Sequence, residues 1–270
     1  MASKLRPSPK PAKAPEPEQE PPQEGHELRM GFFEHLEELR QRLYKAMIAL
    51  VLGTVIGIVV APSVMQFLQT PYCQVVSNAD ECRWQTLDPT ESVVVYFRVS
   101  LMMGGIIAIP VITYQLMMFI LPGLTPKEQR LVFLSLPPIT LLFLLGMAFA
   151  WFVLMPPALN FLQNFQPDLF RAEWTASGYF GFITALVFWM GVAFETPLVF
   201  FVIALLGFVT AGALLRNWRI AVVGAAVAAA LITPTIDPVN MALVMGPLLG
   251  LYGLSIILVS VGRKLSRVDA

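Results

Sequence analysis

Charged side chains are scarce in this chain, and a few of its carboxylates stand where they could do chemistry. Residues 31–43 place Glu34, Glu37 and Glu38 beside Arg40 and Arg42, immediately ahead of a long apolar run. Glu38 falls on a helical stripe with His35, Arg42 and Lys45, and Glu128 lies in a short charged loop with Lys127 and Arg130. A carboxylate takes a guanidinium in a bidentate, charge-assisted pair, stronger than a neutral hydrogen bond. Glu38 and Glu128, brought together, would therefore suit a peptide with two adjacent arginines. The plainer reading stays open beside it. Glu38 with Arg42 is also an i,i+4 helix pair of about 0.3–0.5 kcal/mol, and Glu128 can be ordinary loop charge.

Glu195 is the sharper anomaly, because it sits near the centre of an apolar run. A charge there costs at least ~2.5–3.5 kcal/mol on insertion scales, so intramembrane acids are read as functional by default. Pro197, two residues on, frees a backbone carbonyl and helps to form a polar notch. A structural hydrogen bond within a bundle is the alternative. Cys73 and Cys82 fall in one polar loop and could close a disulfide in an oxidising compartment; two free thiols would be the plain case. The sequence holds no Gly-rich phosphate loop, no His/Cys metal spacing and no nucleophile–base pair, so no metal, cofactor, nucleic acid or enzymatic activity is expected.

The elements that must position these groups are membrane helices. Of the 270 residues 56 % are hydrophobic and 13 % charged, against about a quarter charged in soluble domains. Residues 1–28 are a Pro- and Glu-rich tail that cannot bury enough apolar surface to fold. No cleavable signal peptide is visible in the polar N-terminal region. Helical periodicity starts with Phe32, Leu36, Leu39 and Leu43, and the first span is expected over residues 43–61 with Pro62 at its far end. Further spans are expected over 92–120, long enough to call for tilt, a kink at Pro110 or an extension beyond the bilayer, then 131–154 and 179–209. The region 155–178 reads as a loop with a partly amphipathic stretch, and Glu91 as a first-turn acid favoured by the helix dipole. The fifth run, 220–233, amounts to only ~21 Å of helix, and the sixth covers 239–261.

Basic residues set the orientation. Fifteen of the eighteen Lys and Arg lie before or within the first turn of the first span, in the 122–130 and 210–219 loops or after the sixth; only Arg83, Arg98 and Arg171 fall toward the other side. The positive-inside rule then places both termini in the cytoplasm of a cell-membrane protein. Arg98 is close enough to its helix end to snorkel outward.

Several short motifs stand in order along the chain: HLEELRQRL from His35, Ile109-Pro110 with Tyr114-Gln115, FILPGL from Phe119 to Leu124 with Lys127-Glu128 and Arg130, GMAFAWF from Gly146, FETP from Phe194, and TPTIDP from Thr233. Together they resemble the TatC family, the multi-span receptor subunit of the twin-arginine protein translocase. The resemblance covers residues 31 to about 262. It implies an all-α membrane domain (29–262) of six spans in a concave, glove-like bundle with the last two short, flanked by tails 1–28 and 263–270. It further implies binding of twin-arginine signal peptides through Glu38 and Glu128, with Phe119, Pro122 and Leu124 in the docking patch. Glu195, beside Pro197, would meet single-span TatA and TatB type partners in an oligomeric complex that moves folded proteins on the proton-motive force. Where family members often carry Glu after Leu-Tyr in the sixth span, this chain has Gly253, and the cysteine pair is not a general family feature. A proton-coupled small-solute carrier with Glu195 as proton site is the competing reading, and it would call for internal repeats. None is convincing here.

Overall fold

The computed structural model describes residues 32–75, 84–120, 126–169, 174–233 and 237–268. The chain divides into two units, Met1–Glu37 and Glu38–Ala270. In the first, the described residues 32–37 are helical. The described part of the second is almost entirely helical. In chain order the helices are α1 (Phe32–Leu68), α2 (Thr70–Val75), α3 (Glu91–Ile120), α4 (Pro126–Phe149), α5 (Met155–Gln163), α6 (Ala176–Phe194), α7 (Thr196–Leu205), α8 (Ala211–Arg216), α9 (Trp218–Ile232) and α10 (Pro238–Val268). Among the described residues, five helical stretches are long and apolar enough to cross a membrane, and Trp218–Ile232 is a shorter apolar helix. The chain is an α-helical, multi-pass membrane protein.

Prolines explain where the element boundaries depart from expectation. Pro62 does not end the first helix; it lies inside α1, which continues to Leu68. A proline removes the N–H that would reach the carbonyl four residues back, here that of Ile58. That oxygen instead accepts the Tyr96 hydroxyl of α3 at 2.6 Å, so the break is filled and the helix runs on.

The third span is likewise displaced. Its apolar stretch runs Pro137–Gln163 rather than over 131–154, because helix persists through the expected loop start. Pro156 and Pro157 occupy the first turn of α5, where a missing N–H removes little. The preceding turn, Ala150–Leu154, is wound as a π-helix, closed by Met155 N–H donating to the Ala150 carbonyl. A π turn of this kind absorbs a slip in the hydrogen-bond ladder. The fourth span divides into α6 and α7 at Glu195, and after α7 ends at Leu205 the chain turns at Gly207 with φ +82°, the left-handed turn that glycine adopts without Cβ strain.

Packing follows membrane rules, in which small residues rather than hydrophobic burial let helices approach. A Cβ added at Gly53 or Gly57 of α1 would collide with backbone of Gly104 or Ser100 of α3. Between α4 and α6, a Cβ on Gly146 would press against the Phe194 side chain and one on Gly191 against the Phe143 ring. α6 packs on both α3 and α4, and α10 packs on α7 and α9. The core has Val95, Val99, Phe180, Ile183, Leu186 and Met190 at its centre.

Candidate functional site

The charged segment of α1 supplies the first group. Glu38 and Arg42, one helical turn apart, are both partly buried. The Glu38 Oε1 accepts from Arg42 Nε at 2.9 Å and also from Arg42 Nη2. One carboxylate oxygen is thus already engaged by a guanidinium through two nitrogens. Glu34 and Glu37 are exposed. Phe119 is partly buried in the last turn of α3, and Glu128 falls in the first turn of α4. The Glu128 side chain, and Pro122 and Leu124 altogether, lie outside the described residues.

Glu195 and Pro197 come together at the α6–α7 junction. Glu195 closes α6 with φ −73°, ψ −18° and opens α7. Its carbonyl accepts from Leu198 and Val199 N–H at 3.0 Å each, and its own N–H reaches the Val192 carbonyl at 3.1 Å. Pro197 lacks the N–H that would otherwise bond to the Ala193 carbonyl, and that oxygen takes the Glu195 N–H as well. The helix therefore changes register at the acid. The Glu195 side chain is half-buried, and its Oε1 is buried with no donor among the described residues. Such an atom in a low-dielectric setting needs a proton or a partner.

At the end of the bundle where α1 finishes and α3 and α6 begin, hereafter the distal end, a second polar group is knitted together. Glu91, only 7 % exposed, does more than sit in its own first turn. Its Oε2 accepts the Leu87 N–H at 2.8 Å, and its Oε1 crosses to the Ser177 N–H of α6 at 2.7 Å. Gln85 and Thr175 form an isolated parallel bridge, in which the Gln85 carbonyl accepts the Ala176 N–H at 3.2 Å. Over this knot Tyr72, Trp84, Trp174 and Tyr179 stack. The Tyr179 hydroxyl donates to the Leu68 carbonyl at 2.8 Å. Sequence reasoning placed Glu91 at a helix start but missed this cross-link. The available signal was two tryptophans in otherwise polar segments, the composition of an interfacial belt.

The remaining expected positions divide. Asp237 caps α10: its Oδ1 accepts the Asn240 N–H at 2.7 Å and its Oδ2 the Asn240 side-chain amide at 3.0 Å, with Pro238 as the first helical residue. Residues 234–236 of that motif lie outside the described residues. Cys73, in α2, is not a free thiol; the chain's other cysteine, Cys82, lies outside the described residues. A Cβ at Gly253 would meet nothing within 4 Å, so packing does not require glycine there.

The chain is similar to known proteins over most of its length. Residues 34–247 match the family model described as Sec-independent protein translocase protein (TatC). The chain is 34 % identical over 226 residues to the Sec-independent protein translocase protein TatC of Synechocystis, covering 84 % of this chain and 86 % of that one. It is 36 % identical over 223 residues to the chloroplastic TATC protein of Arabidopsis thaliana, covering 83 % of this chain and 64 % of that longer protein. A crystal structure of the twin-arginine translocase receptor TatC superposes with a TM-score of 0.76 at 36 % identity, covering 85 % of this chain and 99 % of that one. With the family match spanning most of the helical core and the fold shared at this identity, the chain belongs to the TatC family of Sec-independent protein translocase proteins.

Proposed function

We propose that this chain is the signal-peptide receptor of a twin-arginine translocase, with Glu38 and Glu128 taking the two arginines of the peptide. The observation that carries the reading is the Glu38 carboxylate, which already accepts a guanidinium through Nε and Nη2 of Arg42. It has the chemistry needed to hold a peptide arginine in place of Arg42. Glu128, in the first turn of α4, supplies the second carboxylate, and Phe119, Pro122 and Leu124 supply the apolar docking patch. Similarity to a protein described as the twin-arginine translocase receptor favours this reading over a proton-coupled solute carrier.

The topology that goes with it has six spans, the short α9 being the fifth at ~22 Å, with both termini cytoplasmic by the positive-inside rule. Residues 1–28 and 263–270 are cytoplasmic tails around a concave membrane domain, 29–262. Single-span partners of the TatA and TatB type pack against Glu195 and along α9. The exposed stripe Ile220, Val223, Val227 and Leu231 offers them an apolar face, and the proton-motive force drives assembly. Cys73 and Cys82 close the first distal loop as a disulfide, which reduction and alkylation of the intact protein would reveal as two new thiols.

The deciding experiment is binding of a twin-arginine peptide to the purified, reconstituted chain. Wild type should bind it better than the twin-lysine analogue, because lysine cannot form the bidentate pair. Glu38→Ala with Glu128→Ala should remove that preference. Equal binding of both peptides to wild type and to the double variant would overturn the receptor reading.

A further inference from the structure

A groove of about 730 Å³ runs along the bundle between α3 and α6, with Leu50 of α1 on its flank. Its wall is largely apolar: Arg98 stands at the distal mouth, and Thr184, farther in, gives its hydroxyl proton to the Phe180 carbonyl. Leu101 and Trp189, both exposed, line it, so it is open to the lipid phase around a multi-pass protein. On α6 its lining extends from Ser177 to Trp189, which is ~18 Å of helix, close to the ~15 Å hydrocarbon depth of one leaflet.

Arg98 is held at the level of the first turn of α6. Its Nη1 donates to the Ser177 carbonyl at 3.5 Å, a long bond. Gly181 makes the room, since a Cβ there would collide with the same nitrogen. The nearest acid in sequence, Glu91, spends its two oxygens on the backbone N–H groups of Leu87 and Ser177. Among the described residues Arg98 has no carboxylate partner. The aromatic cluster around Tyr179 lies at the same first turn of α6, and tyrosine and tryptophan in membrane proteins gather at the headgroup level. Among the described residues the guanidinium is thus a cation without a carboxylate at headgroup depth, above a largely apolar slot one leaflet long.

We propose that this groove is a binding site for an anionic glycerophospholipid. One acyl chain lies along α6 past Ala185 to Phe188 and Trp189, and the phosphate pairs with Arg98. Arginine and phosphate match in geometry as well as charge, and a chain of small residues, Gly178, Gly181 and Ala185, gives the slot its depth. The site is independent of the signal-peptide reading, since it involves neither Glu38 nor Glu128.

Native mass spectrometry of the purified full chain tests it. The protein is equilibrated with equal amounts of phosphatidylglycerol and phosphatidylcholine bearing identical chains. Both lipids carry a phosphate, but the choline ammonium cancels the charge of phosphatidylcholine and is repelled by Arg98, so wild type should retain one phosphatidylglycerol with about tenfold preference. Arg98→Gln should bring the two lipids to parity, and Ala185→Phe, which fills the slot, should reduce retention of both. Glycerol 3-phosphate should not displace the lipid. Parity on wild type, unchanged selectivity in Arg98→Gln, unchanged retention in Ala185→Phe, or displacement by glycerol 3-phosphate would each overturn the proposal. Displacement would mark a soluble-anion site, and parity on wild type a groove for a peptide or partner helix. Should Arg98→Gln fail to accumulate, the wild-type lipid ratio and Ala185→Phe still decide.

Discussion

The Tyr96 hydroxyl of α3 donates at 2.6 Å to the carbonyl oxygen of Ile58 in α1, the oxygen that Pro62 leaves without an intrahelical donor. The bond does two jobs. It satisfies a backbone acceptor where water is scarce, and it ties α1 to α3 just above the close approach of Gly53 and Gly57. Tyr96→Phe should therefore destabilise the protein by about 1–3 kcal/mol, the cost of stranding a buried acceptor. Pro62→Ala restores an N–H to the helix, so in that background the same substitution should cost clearly less. Thermal unfolding of the four proteins in detergent gives the coupling directly. Additive losses would mean that the hydroxyl and the proline gap are unrelated.

That relationship also shows where sequence reasoning reaches its limit. The run of apolar residues located the membrane helices, because a ~20-residue apolar stretch has few alternatives. Proline was harder to interpret. Pro62 and the pair Pro156-Pro157 read as boundaries, since a proline ends a helix when nothing replaces the lost bond. What does so lies outside the proline itself: Tyr96, far along the chain, for Pro62, and the π turn directly ahead of the pair for Pro156-Pro157. Glu195 was legible for the opposite reason: a lone acid in an apolar run violates a strong local rule. Glu91 obeyed its local rule at a helix start, and so its bond to Ser177, 86 positions away, left no trace in the pattern.

Glu91 should be the distal end's organising acid. Glu91→Ala leaves the Ser177 and Leu87 N–H groups without their acceptor, whereas Glu91→Gln keeps one carbonyl oxygen for one of them. Unfolding temperature should fall in the order wild type, Gln, Ala, and hydrogen exchange at residues 84–91 and 174–178 should quicken in the same order. Faster exchange confined to 84–91 would mean that α6 does not depend on the carboxylate.

Arg42 bears on the proposed receptor site in a way that is easy to misjudge. Its guanidinium holds the oxygen that a peptide arginine would need. A ligand must displace it, giving up about 0.3–0.5 kcal/mol of helix ion pair. Arg42→Gln should therefore tighten twin-arginine peptide binding by about twofold and leave twin-lysine binding unchanged, as read by fluorescence anisotropy. Weaker binding would show instead that Arg42 orients the carboxylate for its ligand.

Glu195 presents the complementary case, a carboxylate with a buried oxygen and no donor on its own chain among the described residues. The helix break at Pro197 places it where a partner helix with a hydroxyl or amide could complete it. A hydrogen bond between membrane helices contributes ~0.6 kcal/mol on average and up to ~1.7. Glu195→Ala should therefore weaken association with the single-span partners by about threefold to twentyfold. Signal-peptide affinity should stay as in wild type, because the two sites use different residues. Glu195→Gln distinguishes the chemistry. A neutral amide that restores association would mean that the native side chain acts as a hydrogen-bonding group, while loss in both variants would point to its charge. Site-specific cross-linking to the partners measures each case, and unchanged cross-linking in Glu195→Ala would remove the residue from the partner interface.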